Sequence, residues 1–257
     1  MAAGLLLTLP VFAQQNADAR FRQIYEKEWA WRTGQAGVSA SGESQPNNGR
    51  LDQVDAKRQQ ERLDYWQKVM SQLDAVDPKQ LSPAEQVNYA VYREQIRNFV
   101  ADQTFRQWQM PFNSDSAFWS ELYDDLGGDS LRTETDYRRY VDRLGQVPAY
   151  FDQEIANMRA GLKRGFSVPR AVLNGRDVSI ASVADVKDPT RTAFYAPLQH
   201  MPSTIPALTA AAIQADARAK ISGAVIPAYG KLLAFFHNEY VPHARTTLAA
   251  EALPDGK

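Results

Sequence analysis

Three histidines are the residues best suited to hold a catalytic metal in this 257-residue chain, which contains no cysteine. His237 and His243 lie six residues apart, whereas the helical zinc pattern places two histidines four residues apart on one face. His200 lies in a separate stretch that Pro202 interrupts. Because catalytic zinc needs three protein ligands held on rigid elements, the sequence predicts no metal site or other cofactor site within this chain.

Acidic pairs offer a weaker kind of candidate site. Asp124 and Asp125 precede Gly127 and Gly128, but their spacing is not that of a calcium-binding loop, so a solvated turn is the better interpretation. A pair such as Glu26 and Glu28 is interpreted as ordinary charged surface. The acidic residues therefore predict no catalytic dyad.

A basic cluster at the end of a predicted helix is the more specific candidate. It consists of Lys163, Arg164 and Arg170. Cations near a helix C-terminus interact favourably with the helix dipole, which is a sufficient structural reason for their presence. The alternative is that the three side chains bind an anionic group, such as the carboxylate of a peptide.

The overall composition limits the classes of partner. The chain carries 29 basic and 30 acidic residues, for a net charge of −1. A nucleic-acid-binding protein needs a basic excess to neutralise phosphates, and a polybasic membrane-surface protein needs one too. The sequence therefore predicts neither kind of binding, and its 11 Tyr, 11 Phe and 5 Trp predict an ordered core.

The N-terminus carries a signal for export. An apolar run at residues 5–9 precedes Val11-Phe12-Ala13, which places small residues at the −3 and −1 positions of a cleavage site before Gln14. The run is too short to cross a bilayer, which takes about 20 residues. We interpret residues 1–13 as a signal-peptide remnant and expect a mature chain, 14–257, in the periplasm or cell envelope. A buried helical N-terminus is the alternative.

Helical periodicity extends over nearly every window of the chain. Phe21, Ile24, Tyr25 and Trp29 keep the spacing of one apolar helix face. Ser82 and Glu85 form the pattern of a capping box that begins a helix ending near Gln109, and Gly165 suits the end of another. Pro227 predicts a kink or a boundary in the Ala-rich C-terminal helix. With no alternating strand pattern, the sequence predicts an all-α, irregular array of about seven to nine helices in one domain.

Three stretches carry a resemblance to a known family. The residues Gly161–Arg170 resemble the Gly-x-x-x-Gly-x-x-x-Pro-Arg stretch of a bacterial exported family, the domain of unknown function 885. Phe194–Pro202 and Val225–Arg245 are similar to later stretches of the same family. The resemblance covers roughly residues 17–257.

The resemblance implies a larger helical fold like that of zinc metallopeptidases. The family is expected to carry a His-Glu-x-x-x-Gly-His helix and a later Glu ligand, both downstream of the matching region. Neither is present here, so no catalytic or metal-binding residue is carried over. The resemblance thus implies an N-terminal lobe that is inactive alone, with zinc and peptide substrate expected only when the C-terminal lobe is present. A non-catalytic helical binding module of the bacterial envelope remains the alternative.

Overall fold

The structure of the chain is a computed structural model, and it describes residues 8–34, 50–254 and 256. Over these residues the fold is all-α, and Phe112 and Ala117 form an isolated bridge outside any strand. The predicted all-α array is therefore confirmed. None of the described helices is both long and apolar enough to cross a membrane.

Eleven α-helical segments follow one another along the described chain, and π-helical turns join the last three into one continuous run. They are α1 (Thr8–Gly34), α2 (Ala56–Asp74), α3 (Pro83–Thr104), α4 (Phe118–Asp125), α5 (Glu134–Leu144), α6 (Val147–Lys163), α7 (Asp177–Ala184), α8 (Ala196–Gln199), α9 (Ala207–Lys220), α10 (Ile226–Phe235) and α11 (Val241–His243).

The chain divides into two compact units. The described part of unit 1 comprises α1, α2 and α3, and unit 2 comprises residues 50–56 and the chain from Gln107 onward. Of the predicted signal-peptide remnant, residues 1–7 lie outside the described residues, and Thr8 to Ala13 belong to the first turns of α1. Cleavage before Gln14 stays a prediction.

Unit 1 is a three-helix arrangement around one apolar core. Helices α1 and α3 run in the same direction. Arg22, in the middle of α1, contacts Glu85 in the first turn of α3, and Glu28, further along α1, contacts Tyr92, further along α3. Its core residues are Phe21, Ile24, Trp66, Val69, Leu73, Val76, Leu81, Tyr89 and Ile96.

The middle helix of unit 1 runs in the opposite direction. The Tyr89 hydroxyl, near the start of α3, donates to the carbonyl of Leu73 at the end of α2. The Phe99 ring, near the end of α3, lies 4.8 Å from Trp66 in the middle of α2. Unit 1 is therefore an up-down-up arrangement of three helices.

The start of α3 differs in part from its predicted capping box. The Ser82 hydroxyl accepts a hydrogen bond from the Glu85 backbone N–H at 3.4 Å, as predicted. The predicted reach of Glu85 back to Ser82 is wrong. Its carboxylate binds Arg22 instead, at 2.9 Å, and the Ser82 N–H donates to Asp18. Contacts with two residues of α1, Asp18 and Arg22, therefore replace the predicted bond between Glu85 and Ser82.

The end of α3 comes earlier than the sequence indicates. The helix ends at Thr104, and Arg106 has a φ of 57°, in the left-handed region that a non-glycine residue seldom adopts. The chain then forms a short 3-10 turn at Gln107–Gln109. The prediction of a helix reaching Gln109 is wrong because the backbone turns before Pro111 is reached.

In unit 2 the C-terminal helical run carries two π turns, each placed just before a proline. They span Ile221–Val225 and Phe236–Tyr240, ahead of Pro227 and Pro242. A proline lacks an N–H and its ring clashes with the carbonyl four residues earlier in a regular helix. The wider turn accommodates the ring, so the predicted kink or boundary at Pro227 is a local π bulge within one helical run.

Candidate functional site

The predicted basic cluster lies at the end of α6 and in the loop that follows it. Lys163 is exposed on the last turn of the helix. Arg164 donates from Nε to the side-chain oxygen of Gln109 at 2.6 Å, and its guanidinium lies 4.2 Å from the centre of the Phe166 ring. Arg164 thus helps to hold the helix end against the 3-10 turn at Gln107–Gln109.

Arg170 joins the loop after α6 to the end of the C-terminal helical run. Its Nη2 atom donates to the carbonyl of Pro242, in the last turn of that run, at 2.5 Å, and to that of Ala244, just past it, at 3.2 Å. In return, the Arg245 side chain donates to the Ser167 carbonyl at 2.9 Å. These contacts favour the structural interpretation of Arg164 and Arg170, and anion binding by the cluster stays a prediction.

The glycines of the same stretch have a packing reason. Gly165 has a φ of 77° and ends α6 with two backbone bonds, from its own N–H to Leu162 and from the Phe166 N–H to Gly161. A Cβ on Gly161 would lie 2.7 Å from the Gln109 carbonyl and 2.6 Å from that of Phe166. The pattern that carries the resemblance is therefore a helix stop and a close backbone contact.

The histidines do not converge on a metal site within the described residues, which contain no group of three or more His, Cys, Asp or Glu residues able to hold a metal ion. His237 pairs through Nε2 with Asp177 at 2.9 Å, on the surface of unit 2. His243 contacts the Glu239 carbonyl at 2.8 Å, and His200 is exposed. These residues do not fit a zinc site.

The acidic pair before Gly127 lies at a turn that ends α4. Gly127 has a φ of 70°, and the Tyr123 hydroxyl donates to Asp129 across the turn. Asp125 keeps part of its surface in solvent. Partial desolvation at the turn is the main cause that raises its pKa to about 6, and the neighbouring carboxylates of Glu121, Asp124 and Asp52 add to it. The turn thus holds a carboxyl group that is costly to ionise.

Glu28 departs most from its sequence-based interpretation. The prediction that it belongs to the charged surface is wrong, because its side chain is fully buried in unit 1. Both carboxylate oxygens accept hydrogen bonds, from Arg32 at 2.9 and 3.3 Å, from Trp66 at 3.2 Å and from Tyr92 at 3.1 Å. A carboxylate enclosed in this way serves to hold other side chains in place.

The partners of Glu28 are fixed as donors by the same surroundings. Burial and the adjacent Glu28 carboxylate raise the pKa of Tyr92 far above its ordinary value, so the hydroxyl stays protonated. The Arg32 guanidinium also lies 5.0 Å from the centre of the Trp29 ring and 5.3 Å from that of Phe99. The buried pair thus positions aromatic side chains on α1 and α3.

Above this network lies an apolar groove of about 570 Å³ on the surface of unit 1, and we call it the α1/α3 groove. It is lined by Phe21, Tyr25, Glu26, Trp29, Arg32, Asn88, Val91, Tyr92 and Gln95. Trp29 and Val91 form its open walls, and 44% of Trp29 and 68% of Val91 remain exposed. Exposed apolar side chains grouped in a groove are typical of a binding surface.

The groove was not predicted from the sequence, although one signal points to it. Glu28 and Arg32 continue the spacing of Phe21 and Ile24, so a charged pair occupies the inward face of α1. This displaces Trp29, predicted to lie on the apolar face with Phe21, toward the surface. A charged i,i+4 pair within an apolar stripe indicates a buried network, and large side chains beside it become candidates for a surface site.

Comparison with known proteins places the chain in a family. A family of bacterial proteins of unknown function, named DUF885, matches residues 32–257 of the chain. The chain belongs to this family. Comparison of this DUF885 member with curated proteins gave no match.

A solved structure shares the fold of this DUF885 chain. It is the "putative lipoprotein from Colwellia psychrerythraea", with a TM-score of 0.72 and 15% sequence identity. The match covers 95% of this chain and 44% of that chain, so this chain spans less than half the length of the solved protein. At such low identity the likeness concerns the fold alone.

Proposed function

We propose that this chain is the N-terminal helical lobe of an exported zinc-dependent peptidase or related hydrolase, and that the metal-binding residues lie on a lobe outside it. Membership of DUF885 supports the family part of the proposal. The zinc-peptidase part is the expectation that the sequence resemblance implies.

The single observation that carries the proposal is the unequal coverage of the structural match. Nearly the whole chain, 95%, superposes on 44% of the solved protein. A fold shared over this extent supports the view that the 257 residues form one lobe of a longer polypeptide. The activity, its peptide substrate and its zinc would then belong to the complete protein.

This chain contributes to such a protein a surface that binds apolar side chains. Its α1/α3 groove offers apolar walls at Trp29 and Val91, with the charge of Arg32 already neutralised by Glu28. An exposed apolar surface of this kind packs against apolar side chains of a partner segment. The hydrogen bonds of Glu28 within the described residues lie inside unit 1, so Glu28 holds the groove in shape.

Export to the periplasm or cell envelope is part of the same proposal. The apolar run at residues 5–9 and the small residues at Val11 and Ala13 support it. The solved neighbour being named a lipoprotein also supports it, since bacterial lipoproteins are exported. Mass spectrometry of protein recovered from the periplasm should give a mature N-terminus at Gln14, and an intact Met1 would contradict cleavage.

A second candidate function is a non-catalytic helical binding module of the envelope. The α1/α3 groove favours it, because it is a formed apolar surface that needs no metal. The two candidates differ in what the complete gene encodes beyond Lys257.

Reading that gene separates the two candidates. A reading frame that continues past Lys257 and encodes a His-Glu-x-x-x-Gly-His stretch supports the hydrolase lobe. A stop codon directly after Lys257 contradicts the hydrolase lobe and supports the binding module. A continuing frame without the histidine stretch also contradicts the zinc proposal, while leaving the groove as a binding surface.

A further inference from the structure

The helices of unit 1 leave one position of a four-helix arrangement open. Up-down-up-down is the common order of four-helix bundles, and α1, α2 and α3 supply its first three members. Among the described residues, those that line the groove all come from the two parallel helices α1 and α3. A helix lying in this groove, antiparallel to both, would complete the order.

The size and openness of the groove favour a helix over a small molecule. From Phe21 to Arg32 the groove follows α1 for about 16 Å, or roughly three helical turns. Small-molecule sites bury about 70–90% of the surface of a drug-sized ligand. Walls that stay as exposed as Trp29, at 44%, and Val91, at 68%, enclose too little for that. An amphipathic helix needs only one face covered.

The charges of the groove define the chemistry of its occupant. Arg32 forms part of the floor, but its charge is compensated by Glu28 at 2.9 Å, so apolar side chains can lie against it. Glu26 is the exposed acidic residue of the rim. The complementary helix carries aliphatic or aromatic side chains at positions i, i+4 and i+7, and a lysine or arginine that faces Glu26.

We propose that the α1/α3 groove binds an amphipathic helix from the part of the same polypeptide that lies outside this chain. This inference rests on the proposed function, which makes the chain one lobe of a longer protein. The length of the solved neighbour supports that source, since more than half of it has no counterpart here. Binding between lobes also explains why the described residues leave an apolar groove open.

Cysteine labelling tests the proposal, because the chain has no native cysteine. Val91→Cys places a thiol in the groove, and Val87→Cys, one turn earlier on α3 and 64% exposed, places a control thiol outside its lining. Both variants are made in this chain and in the polypeptide encoded by the complete gene. Maleimide labelling is followed at each position by mass spectrometry of the proteolytic peptide.

We expect the thiol at position 91 to react at least tenfold more slowly in the complete polypeptide than in this chain, with position 87 changed less than twofold. Equal rates at position 91 in both proteins would overturn the proposal. Protection in this chain alone that rises with its concentration would also overturn it, by identifying a second copy as the occupant. Circular dichroism checks that each variant is folded.

The zinc content of the complete polypeptide separates this inference from the proposed function. Bound zinc with rapid labelling at position 91 overturns the helix in the groove and leaves the hydrolase proposal standing. Slow labelling without bound zinc supports the groove and contradicts the hydrolase. A gene that ends at Lys257 would contradict both proposals, because it would encode neither a second lobe nor the helix that binds the groove.

Discussion

Arg32 and Glu28 form a buried ion pair one helical turn apart, with Nε of the first 2.9 Å from Oε1 of the second. Trp66 and Tyr92 donate to the same carboxylate, so the pair joins all three helices of unit 1. Because Arg32 also lines the α1/α3 groove, the stability of unit 1 and the shape of its binding surface depend on the same contact.

Removing one partner of this pair should destabilise unit 1 strongly. Arg32→Ala leaves the Glu28 carboxylate buried without its counter-charge, for which we expect a loss of about 3–5 kcal/mol in the free energy of unfolding. The control is Arg97→Ala, which removes an exposed pair with Glu94 and should cost less than about 1 kcal/mol. Urea denaturation followed by circular dichroism measures both. Similar small losses would show that the buried pair contributes little.

Gly161 should tolerate no side chain. In Gly161→Ala the new Cβ meets the backbone carbonyls of Gln109 and Phe166, and such overpacking costs about 1–3 kcal/mol. Gly230→Ala is the matched control, because Gly230 lies within α10 and a Cβ there would meet no packing neighbour within 4 Å. There the exchange should stabilise the helix by up to about 1 kcal/mol. Thermal unfolding that gives both variants the same sign would contradict the close contact at Gly161.

Asp125 should make the stability of unit 2 depend on pH. Its pKa is raised to about 6 in the folded state, above its unfolded value, so the folded carboxyl holds a proton that the unfolded one releases. Its contribution is therefore present at low pH and lost as the pH rises through about 6. Relative to the native chain, Asp125→Asn should gain about 1 kcal/mol between pH 4 and pH 7, a modest value because solvent still reaches the group.

Urea denaturation at several pH values measures this gain, and Asp136→Asn provides a control of opposite sign. Bonds from Thr133 lower the pKa of Asp136, so its ionised form is stabilising and the exchange should weaken the fold at pH 7. A stability difference between Asp125→Asn and the native chain that does not change with pH would mean that Asp125 is not destabilised by its ionisation.

Arg170 and Lys163 should differ sharply although both belong to the predicted basic cluster. Arg170→Gln removes charged hydrogen bonds to the carbonyls of Pro242 and Ala244, and we expect a loss of about 1–3 kcal/mol. Lys163→Gln changes an exposed side chain and should alter stability by less than about 0.5 kcal/mol. Chemical denaturation measures the stability of the two variants. Equal effects would show that Arg170 does not join the loop after α6 to the end of the C-terminal helical run.

The fold followed from the sequence where local chemistry decides it. Helical periodicity predicted the all-α class, and the end of α6 at Gly165 followed from the need for a left-handed residue. Tertiary contacts overruled local ones at the start of α3, where Arg22 binds Glu85. The end of α3 was not predicted correctly, because Arg106 adopts a left-handed conformation that is uncommon for an arginine.

The candidate site was less accessible to sequence reasoning. Glu28 lies beside charged residues in the sequence, and this pattern predicts an exposed position. The side chains that enclose it, Trp66 and Tyr92, lie 38 and 64 residues away along the chain. A single sequence does not show which distant residues meet. The groove depends on that meeting, because its walls are side chains of two helices that become neighbours only through the packing of unit 1.

Elemental analysis of the purified 257-residue chain, with a peptidase assay on the same sample, tests the central claim most directly. A catalytic zinc needs three protein ligands at about 2.0–2.3 Å and an open position for water. The described residues hold no such group of side chains, so we predict zinc far below one ion per chain and no cleavage that a chelator suppresses. One zinc per chain with chelator-sensitive cleavage would contradict the account.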